Sequence, residues 1–263
     1  MTFLLKLVVF ALGLCLGSFL NVIIYRLPKE GQSILTPRRS LCPACQSQIA
    51  WYDNLPLLSY ILLRGRCRHC QESISLRYPL VELMAGVLTL AVFYKSGISL
   101  RAVADLYLVL TLIAITYIDL DEMIIPDIIT FPGMAVGLAA AALAPDPGLM
   151  LGVRLKGLLV GWGLESGWAL SLIGSALGLF LGWVLVWGIF NLYFLLRRQE
   201  GIGGGDVTLL AMIGAFLGWR AVLVTIFLGS IAGMAAAIAG SLGGKGFSLQ
   251  MKIPFGRFLS LGA

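Results

Sequence analysis

Two acidic clusters and two cysteine pairs are the residues of this chain whose types and spacing could do chemistry. Gly203-Gly204-Gly205-Asp206 lies between the basic pair Arg197-Arg198, which ends one apolar run, and the start of the next. Ile118-Asp119-Leu120-Asp121 closes an earlier apolar run, and Pro126-Asp127 opens another. Two carboxylates brought together share one proton, so that one can activate a water while the other protonates a scissile carbonyl. That is the chemistry of an aspartyl protease. Cys42-Pro43-Ala44-Cys45 and Cys67-Arg68-His69-Cys70 are two C-x2-C pairs separated by 21 residues. Each pair presents two thiolates from a tight turn, and four sulfurs close a tetrahedron on zinc.

Every one of these groups has a plainer reading beside the chemical one. Asp206 follows three glycines and Asp127 follows a proline, so both read as N-terminal caps of helices. Asp121 and Glu122 read as solvated loop charges. Asp119 is harder to dismiss, because it ends an apolar helix where the helix dipole disfavours a carboxylate. Intramembrane acids serve proton or ion relays in transporters as readily as proteolysis, so spacing alone leaves both open. Four thiolates leave no open coordination position, which makes any metal structural. His69, the only histidine, is expected to be a bystander in the second knuckle, and Cys15 a small apolar core residue of the first helix. A zinc-stapled membrane scaffold without catalysis would account for the cysteines and leave Gly203 to Asp206 unexplained.

The elements that must position these residues follow from composition. The chain has 263 residues, 59% hydrophobic and 12% charged, with a mean hydropathy of +0.94, too apolar for a soluble globular domain. The expected fold is an all-α polytopic membrane protein of seven to eight transmembrane helices. These run from about Phe3 to Tyr25, Pro79 to Tyr94, Leu100 to Ile118, Asp127 to Leu143, Gly167 to Leu196, Asp206 to Trp219 and Ala221 to Leu242. The stretch from Ile253 onward is too short for a full eighth span. The first run lacks a small-residue cleavage site and reads as a retained helix.

Basic residues set the expected orientation, since Lys and Arg favour the cytoplasmic side of short loops. Arg26 to Arg77 carries Arg26, Lys29, Arg38, Arg39, Arg64, Arg66, Arg68 and Arg77 against Glu30, Asp53 and Glu72, so it is expected to be cytoplasmic. Alternating the spans puts Asp119 to Asp127 and Arg197 to Asp206 on the same face, with Ala144 to Ser166 outside. Both carboxylate clusters then face the cytoplasm. The net charge of +6 reads as a topology signal and not as a nucleic-acid footprint. Three domains are expected: a first transmembrane helix over 1–25, a small cytoplasmic zinc-knuckle domain over 26–77, and a transmembrane peptidase domain over 78–263. About fifty residues of module bury little core, so zinc would supply folding free energy there, and a cytoplasmic location favours metal over disulfide.

Taken together, Leu16 to Pro28, the two cysteine pairs, Tyr52-Asp53-Asn54-Leu55-Pro56, Arg77-Tyr78-Pro79-Leu80-Val81-Glu82, Ile118 to Asp121 with Pro126-Asp127, and Gly203 to Asp206 resemble the prepilin peptidases, or type IV leader peptidases. The resemblance touches nearly every segment in order. It implies a bacterial inner-membrane aspartic endopeptidase that removes the basic leader from type IV prepilins and type II secretion pseudopilins. In the four-cysteine members it further implies N-methylation of the new amino terminus with S-adenosylmethionine. Carried over by residue, the catalytic pair is Asp119 and Asp206. Thr208 stands where that family usually has lysine, and Arg257 follows the run Ile253-Pro254-Phe255-Gly256. No G-x-G-x-x-G fingerprint for a Rossmann unit is present, so methylation rests on the resemblance alone.

A mechanism is expected in which Asp206, at a helix N-terminus, is the ionised base and Asp119, at a helix C-terminus, the protonated acid. Gly203, Gly204 and Gly205 would let the backbone approach an extended substrate strand. Asp121, Glu122, Asp127 and Glu200 would form an acidic field that receives the basic leader. Besides that substrate, the lipid bilayer is the expected partner.

Overall fold

Runs of leucine, isoleucine, valine and alanine with almost no interior charge leave the backbone one way to satisfy its polar groups in lipid, which is to coil on itself. A computed structural model of the chain describes residues 3–29, 33–36, 40–146, 153–161, 163, 165–197, 203–242 and 256–263. Ten α-helices are found among them: α1 Phe3–Arg26, α2 Leu58–Leu62, α3 Arg77–Ser96, α4 Leu100–Glu122, α5 Asp127–Leu143, α6 Val153–Gly161, α7 Gly167–Arg197, α8 Gly204–Leu217, α9 Trp219–Leu242 and α10 Gly256–Gly262. A single 3-10 turn spans Trp51–Asn54, and the only strand-like features among the described residues are two isolated antiparallel bridges.

The all-helical expectation therefore holds. Five of these helices, α1, α3, α4, α7 and α9, are long and apolar enough to cross a membrane, and α5 and α8 are apolar but shorter. Large apolar side chains stay exposed along the long helices, Phe3 at 82%, Phe180 at 66% and Phe227 at 66%, a surface only lipid would cover. Several helix ends shift by one or two residues from the sequence reading, and two larger differences bear on the site and on the long connection. α4 continues one turn past Ile118 to Glu122, so Asp119 sits inside a helix and Asp121 and Glu122 are helical, not loop, residues. The stretch 144–166, expected on the outer side, contains the short α6, which the uneven apolar pattern there does not announce.

The chain forms two compact units. The first, Met1–Ala102 with Val109–Ala114, pairs α1 with α3 and carries the cysteine module. Small residues hold that pair together: a Cβ on Gly13 would lie 2.8 Å from Gly86 Cα and 2.7 Å from Thr89, and one on Gly17 2.7 Å from Glu82 Cα. Close backbone approach through small residues is how helices associate where burial from water gives no drive.

The second unit, Val103–Leu108 with Ile115–Ala263, is built around α8. This helix is apolar on every side and completely buried from Asp206 to Phe216, packed by α5, α7, α9 and α10. Gly178 and Gly214 meet back to back, and Gly182 lies against Leu210. Ser175 donates its hydroxyl to the Ala215 carbonyl at 2.5 Å, satisfying a polar group that apolar surroundings would otherwise penalise.

Candidate active site and metal centre

Within the second unit, Asp119 lies in the last turn of α4 and Asp206 in the first turn of α8. Both are buried, at 4% and 6% exposure, although carboxylates are seldom buried without a reason. The two stand close enough for Asp206 to feel the charge of Asp119. Asp119 Oδ2 accepts the backbone N–H of Arg257 at 2.8 Å, one of the first-turn donors that α10 cannot satisfy internally. The Asp206 backbone N–H donates to the Gly203 carbonyl at 3.1 Å.

Ile125, in the connection between α4 and α5, ties the two carboxylates' surroundings together. A Cβ on Gly205 would come within 2.7 Å of Ile125 Cβ, and one on Gly256 within 2.6 Å of Ile125 Cδ1 and 3.1 Å of Asp119 Oδ2. Gly205 thus packs against this chain itself. Gly203 and Gly204 do not: Gly204 has nothing within 4 Å of an added Cβ, and Gly203 only Asp206 Oδ2 at 3.9 Å. The strand-approach role expected of three glycines is geometrically open at two of them.

Asp121, Glu122 and Asp127 are exposed on the same unit, the last with its Oδ1 3.3 Å from the Thr208 hydroxyl. That hydroxyl also donates to the Gly205 carbonyl at 3.0 Å, so threonine ties the start of α8 to the start of α5. Glu200 lies outside the described residues. The sequence reading assigned no role to Gly256, Arg257 or Ile125. The string Ile253 to Gly256 was noted, but nothing local says that its end folds back 138 residues onto Asp119.

In the first unit the four sulfurs of Cys42, Cys45, Cys67 and Cys70 lie within 4.8 Å of one another, with Cys42 and Cys70 3.9 Å apart. Zn–S bonds of about 2.3 Å in a tetrahedron require sulfurs about 3.8 Å apart, so the set fits structural zinc. His69 is not among the clustered ligands. Hydrogen bonds from Ser47, first its hydroxyl and then its backbone, hold the Cys45 thiol down to about 6. The backbone N–H groups of Cys70 and His69 lower Cys67. Cys70 has the backbone N–H of Glu72, yet burial and the three neighbouring thiols push it up to about 12.

The module is an internal repeat that the sequence reading did not register. Cys42 and Cys67 each donate a backbone N–H five residues on, to Ser47 and Glu72, and each accepts one from a glutamine with positive φ, Gln46 at 57° and Gln71 at 59°. The bridges Leu41–Gln48 and Arg66–Ser73 repeat with the same 25-residue offset. The signal was legible: C-x2-C-Q-x2-I occurs twice. Asp53 is held below the usual carboxylate range by Arg68, which binds it at 2.8 and 2.6 Å.

Comparison with known proteins agrees with this arrangement. Residues 11–96 match the bacterial peptidase A24 N-terminal domain and residues 106–238 the type IV leader peptidase family. The prepilin leader peptidase/N-methyltransferase of Myxococcus xanthus is 41% identical over 233 residues, covering 87% of this chain and 61% of that protein. Those of Aeromonas hydrophila and Pseudomonas putida are 36% and 33% identical over 275 and 270 residues. They cover 96% and 95% of this chain and 87% and 85% of theirs. No solved structure matches it. With two buried acids on one helical unit, four clustered thiols on another, and both family regions in order, the chain belongs to the type IV leader peptidase family.

Proposed function

We propose that this chain is a membrane aspartic endopeptidase that cleaves the basic leader from type IV prepilins and type II secretion pseudopilins. It then N-methylates the exposed amino terminus using S-adenosylmethionine. The relatives' names support both activities. The observation that carries the proteolytic reading is the approach of two buried carboxylates from opposite helix ends, Asp119 and Asp206. A proton relay would place its acids near the bilayer midplane in broken helices, and a scaffold has no use for such a pair.

In this mechanism Asp206 is the base, because the first turn of α8 favours an anion, and it deprotonates the attacking water. Asp119, in a last turn, carries the shared proton. The Arg257 N–H occupies Asp119 Oδ2, which leaves Oδ1 to donate to the scissile carbonyl. The 14 residues of α8 rise about 21 Å, short of a hydrocarbon core of about 30 Å. Counting α5 and α8 as short spans gives seven, and together with the basic loops this supports a position for this end of the unit just inside the cytoplasmic boundary of the inner membrane. Asp121, Glu122, Asp127 and Glu200 receive the leader's positive charge, and Gly203 and Gly204 give its backbone room. Zinc, held by Cys42, Cys45, Cys67 and Cys70, is structural and takes no part in cleavage.

Asp119→Asn and Asp206→Asn test this directly on a prepilin peptide in detergent. Each is expected to lose at least about 100-fold in cleavage rate, the usual scale for a general acid or base, without loss of fold. Full activity in either variant would move the assignment to Asp121 or Asp127.

A further inference from the structure

The module that carries the cysteines also carries an apolar surface that neither the thiol set nor the carboxylate pair uses. On α2, Leu58, Ile61 and Leu62 recur at the spacing of one helix face and all are exposed, Ile61 at 70% and Leu62 at 71%, while Ser59, off that face, is buried. The 3-10 turn adds Trp51, exposed at 79%, and Tyr52, and the link to α2 adds Leu55. One hydroxyl holds the turn and the helix against each other. Ser59 Oγ donates to the Tyr52 carbonyl at 2.9 Å and accepts the Leu55 N–H at 3.1 Å.

The tether of this surface gives its level in the membrane. Leu57, at φ 57°, a conformation that leucine seldom adopts, donates its N–H to Glu82 Oε2 at 2.8 Å. Glu82 lies in the second turn of α3, five residues and about 7.5 Å from its start at Arg77. Leu80 and Leu83 flank it on a helix apolar enough to cross a membrane, and both are exposed, which requires lipid at that level. The start of α2 is therefore held where the bilayer begins. An interfacial segment sinks its apolar face about 5–10 Å into the boundary of headgroups and acyl chains, and tryptophan and tyrosine concentrate there because their rings have an apolar body and a polar tip.

Basic residues complete the pattern. α2 is followed by a left-handed turn at Arg64 and Gly65, φ 52° and 67°, and Arg64 and Arg66 are exposed with no ion pair among the described residues. The phosphates of anionic lipid supply the missing charge, with the arginine stems lying along the apolar boundary. A protein partner would explain the apolar face, but not why that face is tied to the level of Leu80 and Leu83. We propose that the segment 51–62 is an interfacial anchor, its apolar face seated in the cytoplasmic leaflet and Arg64 and Arg66 on the phosphates of anionic lipid. The cysteine module then lies against the membrane between α1 and α3 instead of standing in water. This inference stands on the membrane class of the chain and is independent of cleavage and methylation.

The test uses the full chain in vesicles of phosphatidylcholine and phosphatidylglycerol, with photoreactive benzoylphenylalanine placed in turn at Ile61, at Leu62 and, as an exposed polar control, at Gln48. Two patch positions keep the result readable if one variant fails to fold. Ultraviolet light is expected to give lipid adducts at Ile61 and Leu62 in clear excess over Gln48. A crosslink to another part of the chain, a species of doubled mass that marks a second copy on the patch, no lipid adduct, or equal lipid labelling at all three positions overturns the proposal. Omitting phosphatidylglycerol, or introducing Arg64→Gln with Arg66→Gln, is expected to lower the lipid yield several-fold, since each arginine at an anionic surface is worth about fivefold. A yield that does not respond to either change overturns the role of the arginines.

Discussion

The cysteine module and the α8 bundle solve the same problem, holding a few reactive groups in register, by opposite means. The module has little apolar core, and its order comes from short-range repeats: two knuckles of the same hydrogen-bond pattern and four sulfurs waiting for one ion. The bundle has no staple. Its order comes from a helix buried on all sides and from glycines that let backbones touch, and its two carboxylates arrive from positions 87 residues apart. Local geometry tolerates change in distant sequence; packed geometry does not.

Removing zinc should break that contrast most visibly. Structural zinc is worth about 10–16 kcal/mol of apparent binding free energy in small modules, so a strong chelator, or Cys42→Ser with Cys67→Ser, should unfold 40–75 while the bundle keeps its helices. Limited proteolysis and circular dichroism measure the two separately. Loss of helical signal in step with module cleavage would mean the two regions are not independently held.

In the bundle the corresponding stress is Gly205→Val. Its added side chain meets Ile125 at backbone range, and overpacking of this kind costs about 1–3 kcal/mol. The melting temperature should fall, and Ile125→Ala should recover part of the loss. Gly204→Ala, where the space is open, should shift it little. If Gly204→Ala proves as harmful as Gly205→Val, packing is the wrong account of the glycine run.

Thr208→Val is a smaller perturbation. It removes the hydroxyl that joins Gly205 and Asp127, at a cost of about 1 kcal/mol. Urea unfolding should register the change, and a variant as stable as wild type would show that the link between α5 and α8 is unimportant.

The smallest effect is expected at Asp53 and Arg68. Arg68 lowers the pKa of Asp53 in the fold, so the pair contributes stability above the carboxylate's unfolded pKa and loses it as pH falls through the lower folded value. Arg68 is half exposed, which keeps the contribution small. Asp53→Asn should leave the module's melting point nearly unchanged at acid pH and lower it slightly at neutral pH. The reverse order would refute the ion pair.

Much of this molecule was legible along the chain because its signals are local. Helix-length apolar runs announced the membrane class, paired cysteines announced a metal set, and the glycines before Asp206 marked a helix start. Asp119 stood out because a carboxylate at the end of an apolar helix is electrostatically misplaced. Other features were hidden for equally physical reasons. The expected end of α4 falls four residues early because Asp119, Asp121 and Glu122, being polar, break the apolar pattern without breaking the helix. Gly205 read as room for substrate because nothing near it in sequence says that Ile125 fills that room.

By itself, then, the sequence determined the class of the protein, its helices, the four cysteines that could hold a metal ion and the identities of two suspect carboxylates. These depend on hydropathy, turn chemistry and spacing within a few residues. Only the tertiary structure decided that Arg257 donates to Asp119, that α8 is enclosed on every side, and that Ile125 fills the space beside Gly205. Those contacts join positions separated by tens to more than a hundred residues, where the partner is chosen by how helices pack and not by any property of the neighbouring chain.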